Sequence, residues 1–128
     1  MDFVTFEIAK KLKEKGYPQN FSRRKSIKAA SYHYYNFKGE IDGSVDDNHW
    51  YVSCPFIAQV LKWLREEKGL HIEPHKVNGV WDSCVVDLNE VDEDCDMFCR
   101  TIKNTNCIGD SYEEAALAGV EYILDNLI

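Results

Sequence analysis

The chain has 128 residues, a formal net charge of −7 at pH 7, 45% hydrophobic and 12% aromatic residues. Such a length suits a single domain, 1–128, able to form a core without disulfide or metal staples, and the composition excludes a disordered chain. No run of about eighteen apolar residues is available to span a bilayer, and Met1-Asp2-Phe3-Val4 lacks the basic and apolar regions of a signal peptide, so the expectation is a cytosolic protein without membrane contact.

Taken in chain order, the first element is a helix from about Asp2, as N-cap, to Lys15, stopped by Gly16-Tyr17-Pro18. Val4, Ile8 and Leu12 recur every four residues with Ala9 beside them, which gives one apolar stripe. Lys10, Lys11, Lys13 and Lys15 crowd the last turns, where the helix end is negative. Residues 27–37, rich in tyrosine, read as a strand, Gly39 to Asp47 as a loop, and His49 to Ser53 as the returning strand of a long-looped hairpin.

A second helix begins with Ser53 or Cys54 as cap and Pro55 at the first helical position, and Gly69 ends it. Ile57, Leu61 and Leu64 form one row and Phe56, Val60 and Trp63 a second, while Lys62, Arg65, Glu66 and Lys68 take the polar side. Leu70 to Val77 and Val80 to Leu88 then flank Asn78-Gly79, a pair that tolerates positive φ at both central turn positions. The two-residue register sets Val77 against Val80 and Pro74 against Ser83, so the strand bearing Pro74 is expected at a sheet edge. Leu70, Ile72, Trp81 and Val85 share the face expected to pack under the second helix. The opposite face mixes Val77, Val80, Cys84 and Val86 with His71, Glu73, His75 and Asp82, too apolar to be wholly solvated.

Asp87 to Asp96 reads as an acidic loop, and Met97 to Lys103 as a weaker strand. Ser111-Tyr112-Glu113-Glu114 has the spacing of a capping box and opens a helix with Ala116, Val120, Ile123, Leu124 and Leu127 on one face. Gly119 within it costs up to about 1 kcal/mol against alanine, and close approach to a neighbouring element would justify it. The fold class is α+β: a mainly antiparallel sheet of four or five strands with three helices, in the order αββαββ(β)α, helices packed over one face.

Charge is split along the chain. Residues 1–81 carry thirteen Lys/Arg and ten Asp/Glu, whereas residues 82–128 carry two and twelve. That asymmetry offers a basic partner an acidic half and argues against nucleic acid wrapping the whole surface.

Four groupings hold residue types that could carry chemistry. Glu73, His75 and Asp82 converge on one strand face as a thin metal-ligand set, because His71 lies about 13 Å from His75 along a strand. Cys95, Cys99 and Cys107 contain no Cys-x2-Cys pair, and with Cys54 and Cys84 read as reduced thiols. Asp92-x-Asp94-x-Asp96 starts like a calcium loop, but Met97 and Lys103 stand where glycine and glutamate are needed. Arg23, Arg24, Lys25 and Lys28, with Tyr32 and Tyr34, combine charge and stacking in the manner of a single-stranded nucleic-acid contact. No catalytic residue set is complete and no cofactor motif is present, so the reading leans away from an enzyme.

Pro55-Phe56-Ile57-Ala58-Gln59-Val60-Leu61-Lys62-Trp63-Leu64-Arg65-Glu66-Glu67-Lys68, with Leu70-His71-Ile72 and Ser111-Tyr112-Glu113-Glu114-Ala115-Ala116, resembles small uncharacterised proteins of gut Bacteroidetes and their phages or prophages. The resemblance covers residues 50–88 and 108–128 and implies a bacterial or phage protein of the cytosol, with no activity to carry over. Cys107-Ile108-Gly109-Asp110-Ser111-Tyr112-Glu113-Glu114-Ala115 is similar to the strand–helix junction of HicB-like antitoxins, small α+β proteins that mask a toxin, although the two helices before it depart from that family's order. The function expected is a non-catalytic protein–protein interaction module of phage or mobile-element origin. Its partner is unidentified, with a homodimer as one arrangement. The alternatives are nucleic-acid binding through 23–35, or an antitoxin-type inhibitor.

Overall fold

A computed structural model describes residues 2–19, 33–42, 52–91 and 99–128, with backbone alone at 42, 90, 91 and 99–106. The described chain divides into two compact units, Met1–Gln59 and Val60–Ile128. It is α+β, with three helices and two antiparallel three-stranded sheets in place of the single four- or five-stranded sheet expected. The predicted element order holds, with one two-residue strand added.

In the first unit, α1 spans Phe6–Glu14 and its N-cap is Thr5, not Asp2. Asp2 to Val4 is extended because it pairs with the segment before the second helix: the Val4 N–H donates to the Pro55 carbonyl at 3.0 Å, and Ile57 N–H to that of Asp2 at 2.9 Å. Thr5 Oγ1 accepts from the Ile8 N–H, satisfying a donor that the helix start leaves free. At the other end Gly16, at φ +92°, donates to the Lys13 carbonyl, and Tyr17 donates to that of Leu12. These two bonds make a Schellman ending, which needs the left-handed residue that glycine supplies. Val4, Ile8, Ala9 and Leu12 are all buried, as the apolar stripe requires.

The first sheet has the order β2-β1-β3, with β1 at Tyr34–Tyr35, β2 at Ile41–Asp42 and β3 at Val52–Ser53. Tyr34 pairs with Ser53 and Tyr35 with Val52, the expected long-looped hairpin. The addition is β2, which folds back onto the free edge of β1 through an Asn36 turn. There the Asn36 side-chain oxygen accepts from the Lys38 and Glu40 N–H groups.

Helix α2 spans Ile57–Glu67. It starts after Pro55, with the Phe56 N–H donating to Gln59 Oε1 at 2.9 Å, the returning half of a capping box. Ile57, Val60 and Leu64 are buried, and Gly69 ends the segment at φ +65°.

The second unit holds the sheet β4-β5-β6, formed by Leu70–Val77, Val80–Val91 and Cys99–Gly109. Asn78 and Gly79 lie at φ 51° and 79°, so the hairpin turn is of the primed kind, and Val77 faces Val80 and Pro74 faces Ser83 as expected. Two expectations fail here. Residues 87–91 continue β5 instead of opening an acidic loop, because Asp87 pairs with Arg100 and the Leu88 N–H donates to the Gly69 carbonyl at 2.7 Å. The last strand, described from Cys99, runs on to Gly109, farther than the Lys103 expected. It is interrupted by a bulge, where Ser83 pairs with Cys107 but Val85 pairs with Ile102.

Helix α3, Tyr112–Asn126, packs over this sheet and meets all three of its strands. Its start follows the expected box in part: Ser111 Oγ accepts from the Glu114 N–H at 3.2 Å, while the Glu114 carboxylate accepts from Asp110 instead of Ser111. Ala115, Ala116, Gly119, Val120, Ile123 and Leu124 are buried. A run of small residues lets the helix backbone sit close to the strands. A Cβ on Gly119 would lie 3.0 Å from Ile72 Cγ2, and one on Gly109 would meet the Ala115 nitrogen at 2.6 Å. Ser83 Oγ donates to the Ala115 carbonyl at 2.7 Å, and Trp81 meets Tyr112 edge-on at 5.8 Å between ring centroids.

Candidate functional site

Packing under α3 uses the face carrying Leu70, Ile72, Ser83 and Val85. Strand alternation therefore puts His71, Glu73, His75 and Val77 of β4 on the outer face, with Val80, Asp82, Cys84, Val86 and Leu88 of β5. Ile108 of β6 lies opposite Asp82 and joins that face. Near the turn it is open. Val77 is 51%, Val80 46% and Ile108 60% exposed. Val77 and Val80 are direct cross-strand partners, and Ile108 is diagonal to Val80, so the three make one patch. Single exposed apolar residues are ordinary on protein surfaces; adjoining ones carry meaning.

The proposed metal ligands share this face. His75 is set against Asp82 and Glu73 is one alternate position along β4, as the pattern predicts. His75 Nδ1 lies 3.3 Å from the Glu73 carbonyl oxygen, and His71 Nε2 lies 3.6 Å from the Glu73 carboxylate. Among the described residues no three His, Cys, Asp or Glu side chains are grouped so as to hold a metal ion. Cys84 sits between Glu73 and Asp82 on the same surface, and its thiol is pushed up by burial and then by those two carboxylates. A shift in that direction lowers the thiolate fraction, the form of a cysteine that acts as nucleophile. Cys54 is buried, and burial raises its thiol as well.

Of the nucleic-acid set, Arg23, Arg24, Lys25, Lys28 and Tyr32 lie outside the described residues. Tyr34 is 7% exposed and held in the centre strand of the first sheet, so its ring offers no open stacking surface. Among the described residues of the first unit the most exposed apolar side chain is Phe37, 70% exposed at the β1–β2 turn with the Lys38 ammonium 5.8 Å from its ring centre.

Ile108 is the member of the outer patch that the sequence did not disclose. Lys103-Asn104-Thr105-Asn106 has no apolar alternation to extend a strand as far as Ile108. The available signal was Gly109 two residues before the Ser111 box, which implies an ordered element leading into α3. Among the described residues no helix is long and apolar enough to cross a membrane. Compared with known proteins, the chain matches no family model, and no curated protein or solved structure matches it significantly.

Proposed function

We propose that this chain is a non-catalytic protein-binding module of phage or mobile-element kind that engages its partner through the outer face of β4-β5-β6. The observation that carries this reading is the contiguous exposure of Val77, Val80 and Ile108 on a face that α3 leaves open. Interfaces place apolar anchors at the centre of a polar rim, and here Glu73, Asp82 and the two histidines of β4 form such a rim. Pro74 directs the mode of contact. It stands in the middle of edge strand β4 and has no N–H to offer an incoming strand, so docking by side chains on the face is favoured over strand addition at that edge. An antitoxin-type inhibitor would be one instance of this class.

The test compares capture from a native host by the wild-type chain, a Val80→Ser/Ile108→Ser variant and a Glu121→Gln control on exposed α3 surface. A partner held by wild type and control but lost from the face variant supports the reading. The same partners recovered with all three chains overturn it.

A further inference from the structure

The outer face of β4-β5-β6 bears carboxylates but, among its described side chains, no lysine or arginine. Asp82 lies between His75 and Ile108, directly beside the apolar patch. Glu73 is one alternate position farther along β4, with its side chain 62% exposed, and exposed Asp110 follows immediately after Gly109 of β6. Lys76 belongs to the opposite side, across from Trp81. The charge of the whole C-terminal stretch has the same sign, since residues 82–128 carry twelve Asp/Glu against two Lys/Arg.

From this arrangement we infer that the face takes a basic partner segment, one that sets apolar side chains on Val77, Val80 and Ile108 and reaches Asp82 and Glu73 with lysine or arginine. The inference rests on the protein-binding reading above and adds the partner's chemistry. A second copy of this chain is the disfavoured occupant. Two-fold stacking of this face on itself would bring Glu73 and Asp82 toward their own counterparts, with no opposing cation among the face's described side chains, between two chains each of net charge −7. A basic segment meets the opposite situation: the acidic field draws it in and the apolar patch retains it. Charge here contributes to encounter and to choice of partner, and the buried aliphatic contacts to residence time.

The experiment titrates two synthetic amphipathic peptides against the isotopically labelled full chain by amide chemical shift. They share one leucine pattern; the first carries lysine at its polar positions and the second glutamate. The expected result is that the lysine peptide shifts the amides of Val77, Val80, Asp82 and Ile108. Its affinity should fall about tenfold in Glu73→Gln/Asp82→Asn and also fall as salt is raised, while the glutamate peptide leaves these amides unmoved. Equal binding of both peptides on this face overturns the basic partner but leaves the protein-binding reading standing. Lysine-peptide shifts confined to the acidic side of α3 around Glu113 and Glu121, or binding unchanged in Val80→Ser/Ile108→Ser, overturn both. A dimer seen by light scattering and abolished by Ile108→Ser makes a second copy the occupant and overturns the inference alone.

Discussion

Gly119 tests the seat of α3 on its sheet. In an open helix Gly→Ala stabilises by up to about 1 kcal/mol, because alanine loses less backbone entropy. Here the new methyl would stand 3.0 Å from Ile72 Cγ2 and 3.3 Å from Cδ1, against an optimum of about 3.5–4.0 Å for carbon contacts. Ile72 is 3% exposed, so it has little room to yield, and overpacking of that kind costs about 1–3 kcal/mol. Gly119→Ala should therefore destabilise by about 1 kcal/mol in spite of its propensity gain. Ile72→Ala alone should cost about 2–5 kcal/mol through lost burial and the cavity it leaves. In that background the clash is gone and the Gly119→Ala methyl partly refills the hole, so it should now stabilise by about 1 kcal/mol. The expected coupling is about 2 kcal/mol, well beyond the usual error of additivity. Urea unfolding followed by far-UV circular dichroism, with m unchanged across the four chains, measures it. If Gly119→Ala stabilises by the same amount in both backgrounds, the close approach of α3 to Ile72 is wrong, and with it the assignment of inner and outer faces.

Two further outcomes check the same architecture. Ser83→Ala removes a buried bond to the Ala115 carbonyl, but that carbonyl keeps its partner in the next helical turn, so the loss should be about 1 kcal/mol in the same urea assay, and a loss above 3 kcal/mol would mean that an acceptor had been orphaned. The Cys84 thiol, raised by burial and by Asp82 and Glu73, should alkylate with iodoacetamide at pH 8 more slowly than a free cysteine peptide. Because a raised thiol holds less thiolate at that pH, Asp82→Asn should speed the reaction at Cys84, read by peptide mass spectrometry; an unchanged rate would remove the carboxylate from its surroundings.

How much was legible in the residues differs by element. The Asn78-Gly79 turn, the register that places Pro74 against Ser83, and the Gly16 and Gly69 endings follow from local chemistry. Positive φ, a missing N–H and a two-residue loop each leave few alternatives. The outer face was half readable. Alternation assigned Val77, Val80 and Asp82 to it, yet Ile108 reached it only through β6, whose register is set by a bulge that no periodicity announces. The N-terminus of α1 moved from Asp2 to Thr5 because Asp2 to Val4 found distant partners in 55–57, a long-range pairing that a local capping preference does not anticipate.

The amino-acid order by itself determined the elements, their stops and their amphipathic sides, since these depend on neighbours within a few positions. It also determined the acidic balance of residues 82–128. Tertiary structure decided which helix covers which sheet. An apolar stripe specifies that a face is buried but not against what, and the sheet β4-β5-β6 received α3 because Ala115, Ala116 and Gly119 let its backbone approach Ile72 and Ser83 closely. The open patch at Val77, Val80 and Ile108 is the consequence: once α3 takes the inner side, alternation leaves these three facing outward.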